Sequence, residues 1–143
     1  MAPVELHNIV VGIADTPTSQ LAGRKAFELA VLTGATVHVV TALEDPQSEV
    51  VEIGSDSFRL DDLDAAENSA KKFIRSLSID VPWHVEAVEG KPADALIAVA
   101  ERVNADLIVV GNVRMQGLGR VLGSVGNDVA HHAPCSVLIV KTV

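Results

Sequence analysis

The chain has 143 residues, the size of one ordinary domain, and its apolar share of 48% contrasts with an aromatic share of 3%. A core of Val, Ile, Leu and Ala favours buried β-branched strands covered by helices over an aromatic-rich β-sandwich. The net charge of −8 and the scattered Lys and Arg residues argue against nucleic-acid binding, which needs clustered cations. We therefore expect one α/β domain over residues 1–143.

The beginning of the chain has no basic segment followed by an apolar one, and no apolar run approaches about 18 residues. These features predict no signal peptide and no membrane partner, and they indicate a cytoplasmic protein. A single cysteine, Cys135, allows no internal disulfide, which agrees with a reducing compartment.

The first half of the chain reads as two strands and two helices. Residues 9–14 are a continuous apolar run, as in a strand covered on both faces, and turn residues with a proline at 15–19 begin a helix that Gly34 ends. Residues 37–43 predict the second strand. Residues 44–57 are acidic and lack a period, so we expect the longest loop there, with a second helix from about Phe58 to Leu77.

The second half continues the alternation. Period-two hydrophobicity at residues 83–87, beginning with Trp83, predicts a half-exposed edge strand, and Gly90-Lys91-Pro92 begins a third helix. Strands are predicted at residues 107–110 and 136–142, with a fourth helix ending near His132. Five strands alternating with four helices predict a doubly wound parallel sheet.

The junction between the fourth strand and the fourth helix, GNVRMQGLGRVLGSV at residues 111–125, carries the main functional signal. A strand that runs into a glycine loop and then a helix presents backbone N–H groups at the positive end of a helix dipole. This arrangement favours an anion, most often a phosphate. The sequence therefore predicts a nucleotide-phosphate cradle.

Three familiar phosphate-related motifs do not fit. A Walker A loop is excluded because no Gly-Lys-Ser or Gly-Lys-Thr occurs. The glycines between Gly117 and Gly123 imitate a dinucleotide fingerprint, but they lie six residues past the fourth strand instead of directly after the first. A response-regulator receiver needs an Asp at the end of the third strand, where this chain has Val88-Glu89-Gly90.

Five motifs follow one another along the chain: Val10-Val11-Gly12, Gly90-x-Pro92, the segment 105–111, Leu122-Gly123-Ser124-Val125 and the closing segment 137–140. With these motifs in this order, the sequence resembles the universal stress protein family over nearly its whole length. The Val110-Gly111-Asn112-Val113 sequence is most similar to the actinobacterial members that bind cyclic AMP and ATP.

The resemblance implies an adenine nucleotide alpha hydrolase-like fold with sheet order 3-2-1-4-5 and a ligand at the switch point between strands one and four. Transferred by position, backbone groups of Ala42 contact adenine and Gly111 approaches the ribose. Magnesium is expected only together with bound nucleotide. The phosphate-binding residues are Gly123, Ser124 and Val125, and the full candidate set adds Gly12, Asp15 and Arg114.

Two positions depart from the pattern of nucleotide-binding members. The second loop glycine is replaced by Arg114, and eight residues instead of nine precede Gly123. Arg114 supplies a guanidinium to a phosphate, blocks the pocket entrance, or is a solvated cation of the loop. At the end of the first strand, Ala14 holds the place of the family's Asp, and Asp15 follows it.

No nucleophile–base pair, metal-ligand cluster or paired carboxylates can be identified, so the sequence favours a nucleotide-binding regulator over an enzyme. Two alternatives stay open: a stress or scaffold protein of this fold without a nucleotide, and a slow ATP hydrolase. The apolar last strand is a sheet edge that needs covering, and the resemblance implies a homodimer through Val137–Val140.

Overall fold

The computed structural model describes residues 5–14, 16–112 and 124–141. Its main feature is a five-stranded parallel sheet with the order β5-β2-β1-β6-β7. The strands of this sheet are β1 (Asn8–Gly12), β2 (Thr36–Leu43), β5 (Trp83–Glu89), β6 (Leu107–Gly111) and β7 (Ser136–Val140). The helices are α1 (Pro17–Thr33), α2 (Asp62–Ser76), α3 (Pro92–Val103) and α4 (Ser124–His132).

Counted along this sheet alone, the strand order is 3-2-1-4-5, so the predicted doubly wound α/β fold is confirmed. Helices α1 and α2 pack on one face, around Phe27 and Ile74, while α3 and α4 pack on the other, around Leu96 and Val129. The central strands β1 and β6 are buried on both faces, as their continuous apolar runs require. The edge position predicted for the strand at Trp83 is also confirmed.

The sequence predicted one long loop between β2 and α2, followed by a helix from about residue 58, and this prediction is wrong. The region forms an antiparallel hairpin of β3 (Ser48–Ile53) and β4 (Asp56–Asp61), and α2 begins at Asp62. The two residues between the strands are Gly54 and Ser55, and Gly54 has φ +64°. A glycine with positive φ in a two-residue connection is a typical hairpin turn, and it was the signal in the sequence for this element.

The helix termini follow from local side-chain chemistry. The Oγ1 of Thr16 accepts a hydrogen bond from the backbone N–H of Ser19, Pro17 occupies the first turn, and Gly34 ends α1 with φ +76°. Asp61 accepts from the N–H groups of Leu63 and Asp64 and thereby begins α2. In the described ranges, no helix combines the length and apolarity needed to cross a bilayer.

Candidate functional site

A pocket of about 220 Å³ opens at the carboxyl ends of β1 and β6. This is the switch point of the sheet, since the chain leaves β1 for α1 on one face and leaves β6 for α4 on the other. Open α/β sheets bind their ligands at this place because the diverging connections leave a crevice there. The described lining residues are Gly12, Ile13, Ala14, Thr16, Thr18, Ser19, Val40, Ala42, Pro92, Leu96, Val109, Val110, Gly111 and Val125.

The turn from β1 into α1 forms one wall of the pocket and is braced by Ser19. The Ser19 Oγ accepts from the backbone N–H of Ala14 at 2.9 Å and donates to the Ala14 carbonyl at 2.7 Å. The Ile13 N–H donates to the carbonyl of Val40 at 3.0 Å, which continues the β1–β2 pairing beyond the strand end. These bonds fix the Ile13-Ala14 segment, which lines the pocket. Sequence reasoning treated Ser19 as one of several turn residues and missed this role.

The described pocket lining contains no charged side chain, so its polarity comes from hydroxyl groups and from helix ends. The pocket is bordered by the first turns of α1, α3 and α4, at Thr18, Pro92 and Val125. Each helix start carries a partial positive charge that favours an anion. At α1 the amides of Ser19 and Gln20 already have protein acceptors, the Oγ1 and carbonyl oxygen of Thr16.

Four of the candidate residues predicted from the sequence line this one pocket: Gly12, Ala42, Gly111 and Val125. A Cβ built on Gly12 would lie 3.5 Å from Leu96 Cδ2, an ordinary contact, so steric crowding does not demand glycine there. The roles assigned to these four residues stay predictions.

The remaining candidates lie wholly or partly outside the described residues. Asp15, Arg114 and Gly123 belong to the segments that the structure does not describe, and so does the side chain of Ser124. The backbone of Ser124 is the first residue of α4, so the helix begins at the Gly-Ser pair as predicted. The alternatives for Arg114, as a phosphate ligand, as a block of the entrance or as a solvated loop cation, all stay open.

A second cavity of about 170 Å³ lies beside the pocket on the α1/α2 face of the sheet. Ile13, Ala14 and Ala42 line both spaces and form the wall between them. Thr41 of β2 also lines the second cavity, although its side chain is only 5% exposed. Sequence reasoning missed Thr41 because threonine within an apolar strand reads as an ordinary β-former.

Polar clusters elsewhere have structural explanations. The Asp106 Oδ2 accepts from the N–H groups of His7 at 2.7 Å and Asn8 at 2.9 Å, and these bonds lower the pKa of the carboxyl. Burial raises the pKa of the Cys135 thiol, as expected for an unreactive cysteine. Burial has the opposite effect on His38, whose pKa it lowers, and the His38 ring stacks on that of His84. Among the described residues no group of three or more His, Cys, Asp or Glu side chains could hold a metal ion.

Comparison with known proteins gives the family context. The model of the universal stress protein family matches residues 5–141. Universal stress protein A homolog 1 of Coxiella burnetii is 34% identical over 138 residues, covering 93% of this chain and 94% of that protein. A crystal structure of a universal stress protein in complex with cAMP is 29% identical, with a TM-score of 0.74 and coverage of 98% of this chain and 100% of that one. The universal stress protein from Archaeoglobus fulgidus in complex with dAMP is 25% identical, with a TM-score of 0.65 and coverage of 96% and 100%.

Proposed function

Because this chain belongs to the universal stress protein family, we propose that it is a regulatory protein that binds an adenine nucleotide, namely ATP, AMP or cyclic AMP, in the switch-point pocket. The observation that carries the proposal is the pocket itself, which lies at the carboxyl ends of β1 and β6 and is bordered by three helix starts. The cAMP and dAMP bound by two similar structures support the same ligand class.

The phosphate end of the ligand belongs at the beginning of α4 in this proposal. The start of α1 is capped internally, since Thr16 takes the amides of Ser19 and Gln20 and Pro17 has no amide hydrogen. An anion gains most where first-turn amides remain for it. The start of α3 also has no side-chain cap, but Pro92 removes one of its amide hydrogens, so we place the phosphate at the Gly-Ser start of α4. Ser124 and Val125 are then the phosphate contacts, and any Mg²⁺ enters with the nucleotide.

We propose that the protein acts by binding the nucleotide and not by hydrolysing it. The described pocket lining consists of glycine, alanine, aliphatic, proline, serine and threonine residues, with no general base and no metal-ligating carboxylate. Binding would favour one arrangement of the pocket rim over others, and a partner could read that difference. We further propose that the protein acts in the cytoplasm as a single-domain chain that pairs with a second copy through β7.

Calorimetric titration with ATP, AMP and cyclic AMP tests binding. Ala42 lies between the two cavities, so Ala42→Phe should fill this region and weaken adenylate binding by more than about tenfold. The exposed Ala65 of α2 lines neither cavity, so Ala65→Phe is the matched control and should bind like the wild type. Equal affinities of the two variants would contradict the proposed site.

A phosphate-release assay with ATP separates the regulator from a slow hydrolase. We expect no release above background in the wild type, and therefore no difference in Ser124→Ala. Release that depends on Ser124 would replace the proposal with the hydrolase alternative.

A further inference from the structure

We propose that the stacked pair of His38 and His84 makes the attachment of the edge strand β5 sensitive to pH, so that β5 opens from β2 more readily in mildly acidic solution. Neither histidine lines the switch-point pocket, and the inference does not depend on nucleotide binding.

The two histidines are cross-strand neighbours at the outer pair of strands. His38 of β2 is in register with His84 of β5, and their ring centroids are 5.6 Å apart with an angle of 28° between the ring planes. Val37 and Val39 belong to the core on the α1/α2 face, so His38 lies on the face that α3 covers. The pair lines a groove of about 340 Å³ beside the end of α3, in which His84 is exposed and His38 is half-buried.

The surroundings of His38 suit the neutral ring. Its Nε2 lies 2.9 Å from the Asn8 Oδ1, and with this oxygen as the acceptor the Nε2–H donates and Nδ1 is the atom that takes up a proton. Burial, followed by the charges of His84 and Arg102, lowers the pKa of His38 from its ordinary value of 6.5, and the opposing effect of Glu86 is smaller.

The neighbouring charges leave an imidazolium at this position without a free counter-ion. Among the described residues, the charged groups that face the pair are Glu86 of β5 and Arg102 of α3, and β1 contributes the uncharged Asn8. Helices α1 and α2 pack on the other face of the sheet. Both carboxylate oxygens of Glu86 are bonded to the Arg102 guanidinium. Protonation of both histidines therefore places two positive rings side by side on adjacent strands, an arrangement that weakens strand pairing.

Strand β5 is the element that this repulsion can release. It is an edge strand that pairs with β2 alone, and none of its residues is fully buried, so it can open without opening the central strands. Because the pKa of folded His38 lies below 6.5, the attachment of β5 has its full stability above pH 6.5 and loses stability as the pH falls from 6.5 toward the lowered pKa.

Amide hydrogen exchange of β5, corrected for the intrinsic effect of pH on exchange, tests this inference. In the wild type we expect the equilibrium constant for opening β5 to rise about threefold to tenfold between about pH 7.5 and about pH 5.5. His38→Gln removes the titrating ring and keeps an N–H for the Asn8 Oδ1, so its rise should stay below about twofold. In His84→Gln, the pKa of His38 measured by NMR should move back toward 6.5, because a neighbouring positive charge is lost.

His131→Gln removes an exposed histidine of α4 and is the matched control, which should keep the rise of the wild type. An equal rise in His38→Gln and the wild type would overturn the inference. A rise of the same size in the amides of the central strand β1 would also overturn it, because the whole sheet would then be opening. If His38→Gln does not fold, His84→Gln decides: an unchanged pKa of His38 in that variant would contradict the coupling of the two rings.

Discussion

Gly23 in α1 packs directly against the wall that the two cavities share. A Cβ built on Gly23 would lie 2.8 Å from Ile13 Cδ1, 3.2 Å from Ile13 Cγ1 and 3.2 Å from Phe73 Cε1. Carbon atoms prefer separations of about 3.5–4.0 Å, so Ile13 or Phe73 must move in Gly23→Ala. We therefore expect the effects of Gly23→Ala and of a substitution at Ile13 on the free energy of unfolding to be strongly coupled.

The expected energies follow from these distances. Overpacking costs about 1–3 kcal/mol, while replacing a helical glycine by alanine gains about 1 kcal/mol, so Gly23→Ala should lower the free energy of unfolding by about 0–2 kcal/mol. Ile13→Val should cost about 0.5–1.5 kcal/mol. However, that substitution deletes Cδ1, the atom that clashes. The double variant should therefore be more stable than the sum of the single effects by about 1–2 kcal/mol.

Urea denaturation of the wild type, both single variants and the double variant measures this coupling. Ile108→Val is the matched control, because Ile108 is fully buried in the core on the other face of the sheet. Its effect should add to that of Gly23→Ala within about 0.5 kcal/mol. The same additivity for Ile13→Val would refute the position given to Ile13, and with it the shared wall of the two cavities.

Three further perturbations test other parts of the fold. Asp106→Ala should lower the free energy of unfolding by about 1 kcal/mol at neutral pH, because two backbone N–H groups lose a half-buried carboxylate partner. These bonds hold the pKa of Asp106 below 3.8, so the stability lost in Asp106→Ala should be present above pH 3.8 and should vanish as the pH falls through the lowered pKa. Urea denaturation at pH values above and below this range measures the loss. A loss that does not change with pH would contradict the two hydrogen bonds. Gly34→Ala should lower the free energy of unfolding by about 1 kcal/mol in thermal melts, because Gly34 has φ +76° and an added Cβ would meet no other atom. Gly34→Asn should lower it less. Equal stability of the wild type and both variants would contradict this backbone conformation. Ile139→Lys, at a position of β7 that is 41% exposed, should give monomer or insoluble protein in sedimentation, whereas a stable dimer would count against pairing through β7.

The parallel α/β class could be predicted from the sequence because each central strand is an uninterrupted apolar run, whereas the strand order 3-2-1-4-5 was implied by the family resemblance. The helix bounds were equally accessible at α1, where Thr16, Pro17 and Gly34 supply a cap, a first turn and a stop. In these places local chemistry and burial favour the same structure, so a pattern in one dimension is sufficient.

The β3–β4 hairpin could not be predicted from hydrophobic pattern, because its first strand buries little. Val50 is 62% exposed and Ile53 is 65% exposed, so neither face of β3 shows the alternation that a packed strand needs. Gly54 was the remaining signal, and one glycine in an acidic segment is weak evidence on its own.

Part of the candidate site could be predicted from the sequence, because some of its residues lie at the ends of recognisable strands and helices. Gly12, Gly111 and Val125 flank recognisable strand and helix ends, and the sheet topology brings them to one pocket. Thr41 gave no signal, because whether a threonine in a buried strand contacts protein or a cavity depends on α1 and α2, which pack over it from distant parts of the chain.

Calorimetric titration of the wild-type protein with ATP, AMP and cyclic AMP tests the central claim most directly. We expect saturable binding of at least one of these nucleotides with one site per chain, lost in Ala42→Phe and kept in Ala65→Phe. An absence of heat with all three nucleotides, together with an unchanged melting temperature in their presence, would contradict nucleotide binding and favour a scaffold protein of the same fold.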